Sequence, residues 1–352
     1  MSTSARPRIL VGSMLATSIL ATVALFLPTG FVVRSPGPTH DTLGMQNGVP
    51  LVQIMDATQY PASGQLLMTT VSVGGGPVSN VFALQLLRSW FSPARSAVPV
   101  ETVWRTDITR EEQQQQGQVQ MITSQQAATA AALLELGFEI PVTLIVAGAT
   151  QDSGAEGIVE EGDIIMTLDG APVDTHGELV EALTRITPGD VALLGVDRDG
   201  ERLELEITTG AAEMPDGRTR AALGIWVSTI FADFPVDVQI RIEDIGGPSA
   251  GVMFALAIID LLTPADELGG AIVAGTGTIS ADGEVGPVGG VEQKIHGAWR
   301  DGAKWFLVPI VNCEAATDAP SGIRVVSVST LSEALSAIRA IGEGRGDELP
   351  GC

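Results

Sequence analysis

The chain is poor in positive charge, and poorest in lysine. Its 352 residues include two lysines, Lys294 and Lys304, beside seventeen arginines and 42 acidic residues, for a net charge of −23. That balance excludes the nucleic-acid-binding class, which needs basic surfaces to neutralise phosphates. Neither lysine sits in a Gly-Lys-Ser/Thr sequence, so the phosphate-binding loop of an ATPase is absent. Three scattered histidines, His40, His176 and His296, lack the paired cysteine or carboxylate spacing of a metal site, so no metal and no cofactor is expected. The two cysteines, Cys313 and Cys352, are too few for a disulfide framework and lack C-x-x-C spacing. One bridge stapling the C-terminal tail, or two free thiols, are both open.

Scarcity also gives lysine a meaning. A chain that uses arginine for its surface cations keeps lysine where losing a proton matters, which arginine effectively cannot do.

The length accommodates two or three domains, and 45% hydrophobic residues with 41 glycines is the composition of a folded protein. Residues 1–8 carry Arg6 and Arg8 and precede nineteen uncharged residues, Ile9 to Leu27, in a stretch that stays uncharged to Val33. This is long enough to cross a bilayer as a helix. A transmembrane anchor over 9–33 is expected, with a cytoplasmic N-terminus by the positive-inside rule and everything after Arg34 outside the cytoplasm, at the plasma membrane. A cleaved signal peptide competes, but the run is long for one and no clear A-x-A site follows.

Residues 34–137 read as a separate β-rich and helical extracytoplasmic segment, with strand-like runs at Leu51–Met55 and Leu66–Val73. A helix is expected over 79–90 and another over Glu111–Leu136, ending at Gly137. No catalytic constellation is visible in it. Residues 138–210 change character, with a strand from Pro141, Glu161-Gly162-Asp163 leading into another, hairpin-type turns at Asp169-Gly170 and Asp199-Gly200, and a short helix over Glu178–Ile186. This pattern resembles a PDZ domain, which binds extended peptide ends by strand addition. The resemblance puts the carboxylate-binding loop at Leu136-Gly137-Phe138. A small β-rich domain without a ligand is the alternative.

The chemistry concentrates further on. Gly246-Gly247-Pro248-Ser249-Ala250-Gly251 forces a tight turn before the apolar run Val252–Leu262. Ser249 lies beside backbone N–H groups at a helix start, where a developing oxyanion would be held; the plainer reading makes it a helix cap. Downstream, Val291, Ile295 and Ala298 define the buried stripe of a helix, and Lys294 falls on that stripe while His296 falls with Glu292 and Arg300 on the polar side. A buried lysine loses charge readily, and a neutral amine can take a serine proton.

Three ordered motifs, Gly247-Pro248-Ser249-Ala250-Gly251, Gly275-Thr276-Gly277-Thr278-Ile279 and Pro287 to Lys294, make the stretch from 221 to 341 resemble the proteolytic domain of the Lon proteases. The tail 342–352 follows it. The resemblance implies an ATP-independent serine endopeptidase with Ser249 as nucleophile, Lys294 as general base, Thr276 orienting the lysine, and backbone N–H groups at Gly247 and Ser249 as oxyanion donors. It further implies protein or peptide substrates and a homo-oligomer, hexameric in the family's manner, and an α+β multidomain fold of anchor, β-rich segment, PDZ-like domain and protease. Many Lon proteins have an acidic residue just before the motif, where this chain has Gly246. Two other readings stand beside it. Gly247-x-Ser249-x-Gly251 also fits a hydrolase nucleophile elbow, with His296 and Asp260, Asp266 or Asp282 as nominal partners. The chain could also be a membrane-tethered PDZ adaptor whose protease domain is an inactive scaffold.

Overall fold

The computed structural model describes residues 5–76, 79–104, 109–213, 219–231, 233–242 and 245–352. They form two compact units, Met1–Phe138 with Val236–Cys352, and Glu139–Pro235.

The first unit begins with α1 (Ala5–Leu25), whose side chains are described from Leu10 onward. Leu10, Val11, Met14, Leu15, Ile19 and Leu20 are all more than half exposed. Among the described residues no helix is long and apolar enough to cross a membrane. Next come β1 (Phe31–Asp41), β2 (Gln65–Gly75), α2 (Ala83–Trp90), β3 (Ser96–Pro99) and α3 (Arg110–Glu135). A capping box starts α3: the Thr109 N–H donates to Glu112 Oε2 at 2.7 Å, and the Glu112 N–H to Thr109 Oγ1 at 3.2 Å. Gly137 ends it at φ +83°, with its N–H on Leu134 O and the Phe138 N–H on Leu133 O, both at 2.9 Å. Leu136-Gly137-Phe138 is therefore a helix stop that satisfies the last carbonyls of α3, not a peptide-binding loop. A Leu-Gly-aromatic tripeptide suits both uses, and here the helix before it decides.

The second unit contains β4 (Val142–Ala149), β5 (Ile164–Leu168), α4 (His176–Leu183), β6 (Val191–Arg198), β7 (Glu201–Thr208) and β8 (Ile225–Phe231). Its antiparallel sheet has the order β7-β6-β5-β4-β8. Leu144, Val146, Ile165, Leu194 and, from α4, Leu179 and Leu183 form its core. Buried Asp163 receives two bonds from Arg198, at 2.6 and 2.7 Å, and this pairing holds its carboxyl below the usual range. Positive φ at Asp169, Gly170, Asp199 and Gly200 fits the two tight hairpin turns. The unit extends past the expected boundary at 210, because β8 pairs with β4 from Phe231↔Val142 to Ile225↔Ala149.

The chain then returns to the first unit with α5 (Gly251–Leu262), β9 (Ile272–Gly275), α6 (Val291–Arg300), β10 (Trp305–Pro309), β11 (Arg324–Val328) and α7 (Leu331–Gly342). A six-stranded sheet runs β11-β10-β9-β2-β1-β3; its first four strands are parallel, and β1 and β3 add antiparallel. Residues 34–137 are thus not a segment apart. They supply half the strands of this sheet, and α3 packs on α5. Strand alternation sorts the two faces. Ala274, Phe306 and Val308 pack with Val291 and Ile295 of α6, whereas a Cβ at Gly275 would meet Met253 of α5. The helices α5 and α6 therefore cover opposite faces. The alternating run from Val236 to Ile242 forms only a three-residue strand, Val238–Ile240, paired with Val52–Ile54. Cys313 and Cys352 are joined by a disulfide with Cα atoms 5.1 Å apart.

Candidate active site

Ser249 and Lys294 arrive from opposite layers and meet past the carboxyl end of β9, where parallel sheets leave a crevice. On the α6 side, Val291, Ile295 and Ala298 are buried, and Lys294 is only 3% exposed. Gly290 starts this helix at φ +71°, and a Cβ there would lie 2.6 Å from Val71 Cγ2. Asn312 fixes the approach to it. Its Oδ1 accepts the Val288 N–H at 2.9 Å, and its Nδ2 donates to Val288 O at 3.0 Å.

On the α5 side, Gly247 adopts φ +95°, which a non-glycine residue rarely does, and turns the chain into Pro248. The α5 N-cap is Ala250, without a side-chain capping bond, so Ser249 lies in the turn and does not cap the helix. Its carbonyl accepts the Gly277 N–H and the Thr276 hydroxyl, both at 2.9 Å. α3 clamps the turn from outside: Gly117 O accepts the Gly247 N–H at 2.9 Å, and Ser124 Oγ donates to Pro248 O at 3.0 Å. A Cβ on Gly246 would stand 3.2 Å from the Gly117 backbone, which accounts for glycine there. Nothing in the sequence marks Gly117, Ser124 or Asn312 as functional residues; their signal is spatial.

Lys294 Nζ lies 2.8 Å from Ser249 Oγ and 2.8 Å from Thr276 Oγ1. The Thr276 hydroxyl proton is directed at the Ser249 carbonyl, so its lone pairs face the amine and fix the nitrogen's position. Burial of Lys294 lowers its pKa to about 8, because desolvation disfavours the ammonium. Near neutral pH an appreciable fraction of the amine is therefore neutral. Its free lone pair can accept the serine proton along the same 2.8 Å line.

The expected oxyanion donors need one correction. The Gly247 N–H is spent on Gly117 O, and Pro248 has no N–H, which leaves the Ser249 N–H without a hydrogen-bond partner among the described residues. The hydrolase arrangement does not assemble among the described residues. His296 is half-buried on α6 and makes no hydrogen bond to Ser249. Asp260 accepts the Glu267 N–H, Asp266 pairs with Ser63, and Asp282 pairs with Ser280. A cavity of about 370 Å³ opens over Ser249 and Lys294, with walls that include Met68, Val71, Met121 and Ile245.

Residues 238–339 match the model of the Lon protease (S16) C-terminal proteolytic domain, and residues 112–209 match that of a PDZ domain. The second match overlaps α3 and stops short of β8. Lon protease 2 of Bacillus subtilis (strain 168) is 38% identical over 111 residues, 30% of this chain and 19% of that protein. Lon protease of Xanthomonas oryzae pv. oryzae is 28% identical over 185 residues, 50% of this chain and 21% of that protein. The chain thus spans about a fifth of the length of these relatives. Among solved structures, the PDZ domain of the SdrC-like protein from Listeria innocua is 22% identical, with a TM-score of 0.22, covering 24% of this chain and 92% of that one. The stretch that bears Ser249 and Lys294 falls inside the first match, so the chain carries a Lon-type (S16) C-terminal proteolytic domain together with a PDZ domain.

Proposed function

We propose that this chain is an ATP-independent, membrane-anchored serine endopeptidase that cuts extracytoplasmic protein or peptide segments, chosen in part by its PDZ domain. One observation carries the reading: the amine of Lys294, buried and with a depressed pKa, stands at hydrogen-bond distance from both Ser249 and Thr276. In the reaction, neutral Lys294 takes the Ser249 proton as Oγ attacks the peptide carbonyl, and an acyl-enzyme forms. The lysine returns the proton to the leaving amine, then activates the water that frees the enzyme. Thr276 holds the amine on line throughout, and the Ser249 N–H is the candidate donor to the oxyanion.

Anchoring is supported by α1, which exposes Leu10, Val11, Met14, Leu15, Ile19 and Leu20 together, a set of apolar side chains that needs a lipid or protein environment. The Cys313–Cys352 bridge fits an oxidising, extracytoplasmic compartment. Substrate choice is supported by β8, a strand that among the described residues pairs only with β4 and is preceded by Leu223-Gly224, with Gly224 at φ +73°. Its other edge offers the ladder groups that an extended peptide end would need. Membership of a ring, a hexamer by likeness to Lon proteases, belongs to the same proposal.

The test is cleavage of an unstructured polypeptide by the full chain without ATP, comparing wild type with Ser249→Ala, Lys294→Ala and His296→Ala. Activity lost with the first two and kept with the third supports the dyad. Activity lost with His296→Ala but kept with Lys294→Ala contradicts it, and full cellular function of Ser249→Ala favours the adaptor.

A further inference from the structure

Helix α2 is built inside out. Leu86 and Ser89 are buried, while Leu87 and Trp90, at i and i+3, form an outward arc that Phe91 extends. Trp90 is 66% and Phe91 88% exposed. A short helix gains nothing in folding by turning its largest apolar side chains to water, so this arc calls for a partner.

Its position names one. The chain leaving α1 pairs with the strand entering α2 (Pro28↔Phe82, Thr29↔Val81), and the Ala83 N–H donates to Leu27 O at 3.1 Å. The start of α2 is thereby fixed beside the end of α1, where Phe26 and Leu27 are exposed as well. An eight-residue helix is about 12 Å long, so all of α2 stays within roughly that distance of the end of α1.

Charge agrees. On the outer side of α1, residues 34–100 hold three arginines against two aspartates, whereas residues 101–352 hold fourteen cations against forty carboxylates. The segment that carries α2 is thus free of the heavy acidic excess of the rest of the protein. Beside the aromatic arc, Arg88 and Arg95 line a cleft of about 320 Å³ with Ser35, Ser79, Asn80 and Gln85, and no carboxylate is among the described residues of its wall. Aromatic rings next to arginines at the end of an apolar helix suit the boundary between acyl chains and phosphate headgroups.

We infer that α2 lies in the outer interface of the bilayer, with Leu87, Trp90 and Phe91 among the upper acyl chains and Arg88 and Arg95 on lipid phosphates. This rests on the reading of α1 as an anchor. It makes α2 a second foothold that keeps the protease unit from swivelling on a single helix.

The experiment reconstitutes the full chain in two sets of phosphatidylcholine–phosphatidylglycerol vesicles, with acyl chains brominated near the glycerol end to read Trp90 and near mid-chain to read α1. The contribution of Trp90 to emission is the difference between wild type and Trp90→Phe; Met14→Trp reports on α1 independently. Strong quenching of the Trp90 component, about twofold or more as for an interfacial aromatic, and its decrease in the double variant Arg88→Glu/Arg95→Glu, is the result expected. An unquenched Trp90 beside a quenched Met14→Trp overturns the α2 proposal and leaves the anchor standing. Quenching of neither removes the anchor reading itself, and this proposal with it.

Discussion

Gly117 and Gly247 are hydrogen-bonded at 2.9 Å, although a whole second unit lies between them in sequence. The first third of α3 thereby holds the turn that presents Ser249. A Cβ added to Gly117 would lie 3.6 Å from Gly246 Cα, an ordinary contact. Gly117→Ala should therefore keep activity and raise stability by about 0.5–1 kcal/mol, the usual gain for glycine in a helix interior. Gly117→Leu should displace the turn and lower kcat with little change in KM. Chemical denaturation with steady-state kinetics on both variants checks this.

A second prediction comes from the cost of burying Lys294. Its pKa falls from 10.5 to about 8 in the folded chain, so the unfolded state binds more protons between those values and stability rises with pH across that window. Below pH 8 the penalty is fully present, about 3 kcal/mol. Lys294→Met should lose activity yet gain up to about that stability at pH 7, and it should lose the rise between pH 8 and 10.5. Unfolding curves of both proteins at a series of pH values decide it.

Thr276 is a positioning residue whose hydroxyl bonds the amine and the Ser249 carbonyl at once. Thr276→Val should reduce kcat on the order of 10²-fold through misplacement of the amine, with KM nearly constant. Thr276→Ser, which keeps the hydroxyl, should restore most of it. Equal losses in the two variants would mean that the threonine only packs.

Much of this site is legible in the sequence. Helical spacing alone puts Lys294 on the buried side of α6 and His296 off it, and the glycines around Pro248 mark the turn that carries Ser249. What periodicity cannot supply is pairing between distant stretches. That β1, β2 and β3 belong to the protease sheet, that β8 closes the PDZ-like sheet, and that α3 clamps the nucleophile turn all depend on contacts across many tens of residues or more. No local pattern encodes those contacts. The misplaced loop at Leu136-Gly137-Phe138 shows the opposite weakness: one short sequence serves both a helix stop and a ligand loop, and only its neighbours in space separate them. Gly247 as an oxyanion donor fails for the same reason, since its N–H is claimed by a residue far upstream.

The Cys313–Cys352 bridge closes a loop with a sequence separation of 39. Chain entropy alone gives a loop of that size about 4 kcal/mol of stabilisation. The tail is also held by Arg324, which donates to the carbonyls of Asp347 and Leu349 at 2.9 and 2.8 Å. Cys352→Ser should lower the denaturant midpoint without changing the pH dependence of cleavage, which reports on Lys294. Parallel unfolding and activity measurements separate the two effects.

The most direct test of the central claim is acylation of Ser249 itself, mimicked by a covalent probe. The full chain is incubated with a serine-directed peptidyl phosphonate, and the rate of adduct formation is followed by intact mass spectrometry as pH rises. A Ser–Lys dyad predicts a single adduct on Ser249, with a rate that climbs to half its maximum near the Lys294 pKa of about 8, and almost none in Lys294→Met. Labelling of Lys294→Met at the wild-type rate, or a profile that follows His296 instead, would contradict the account.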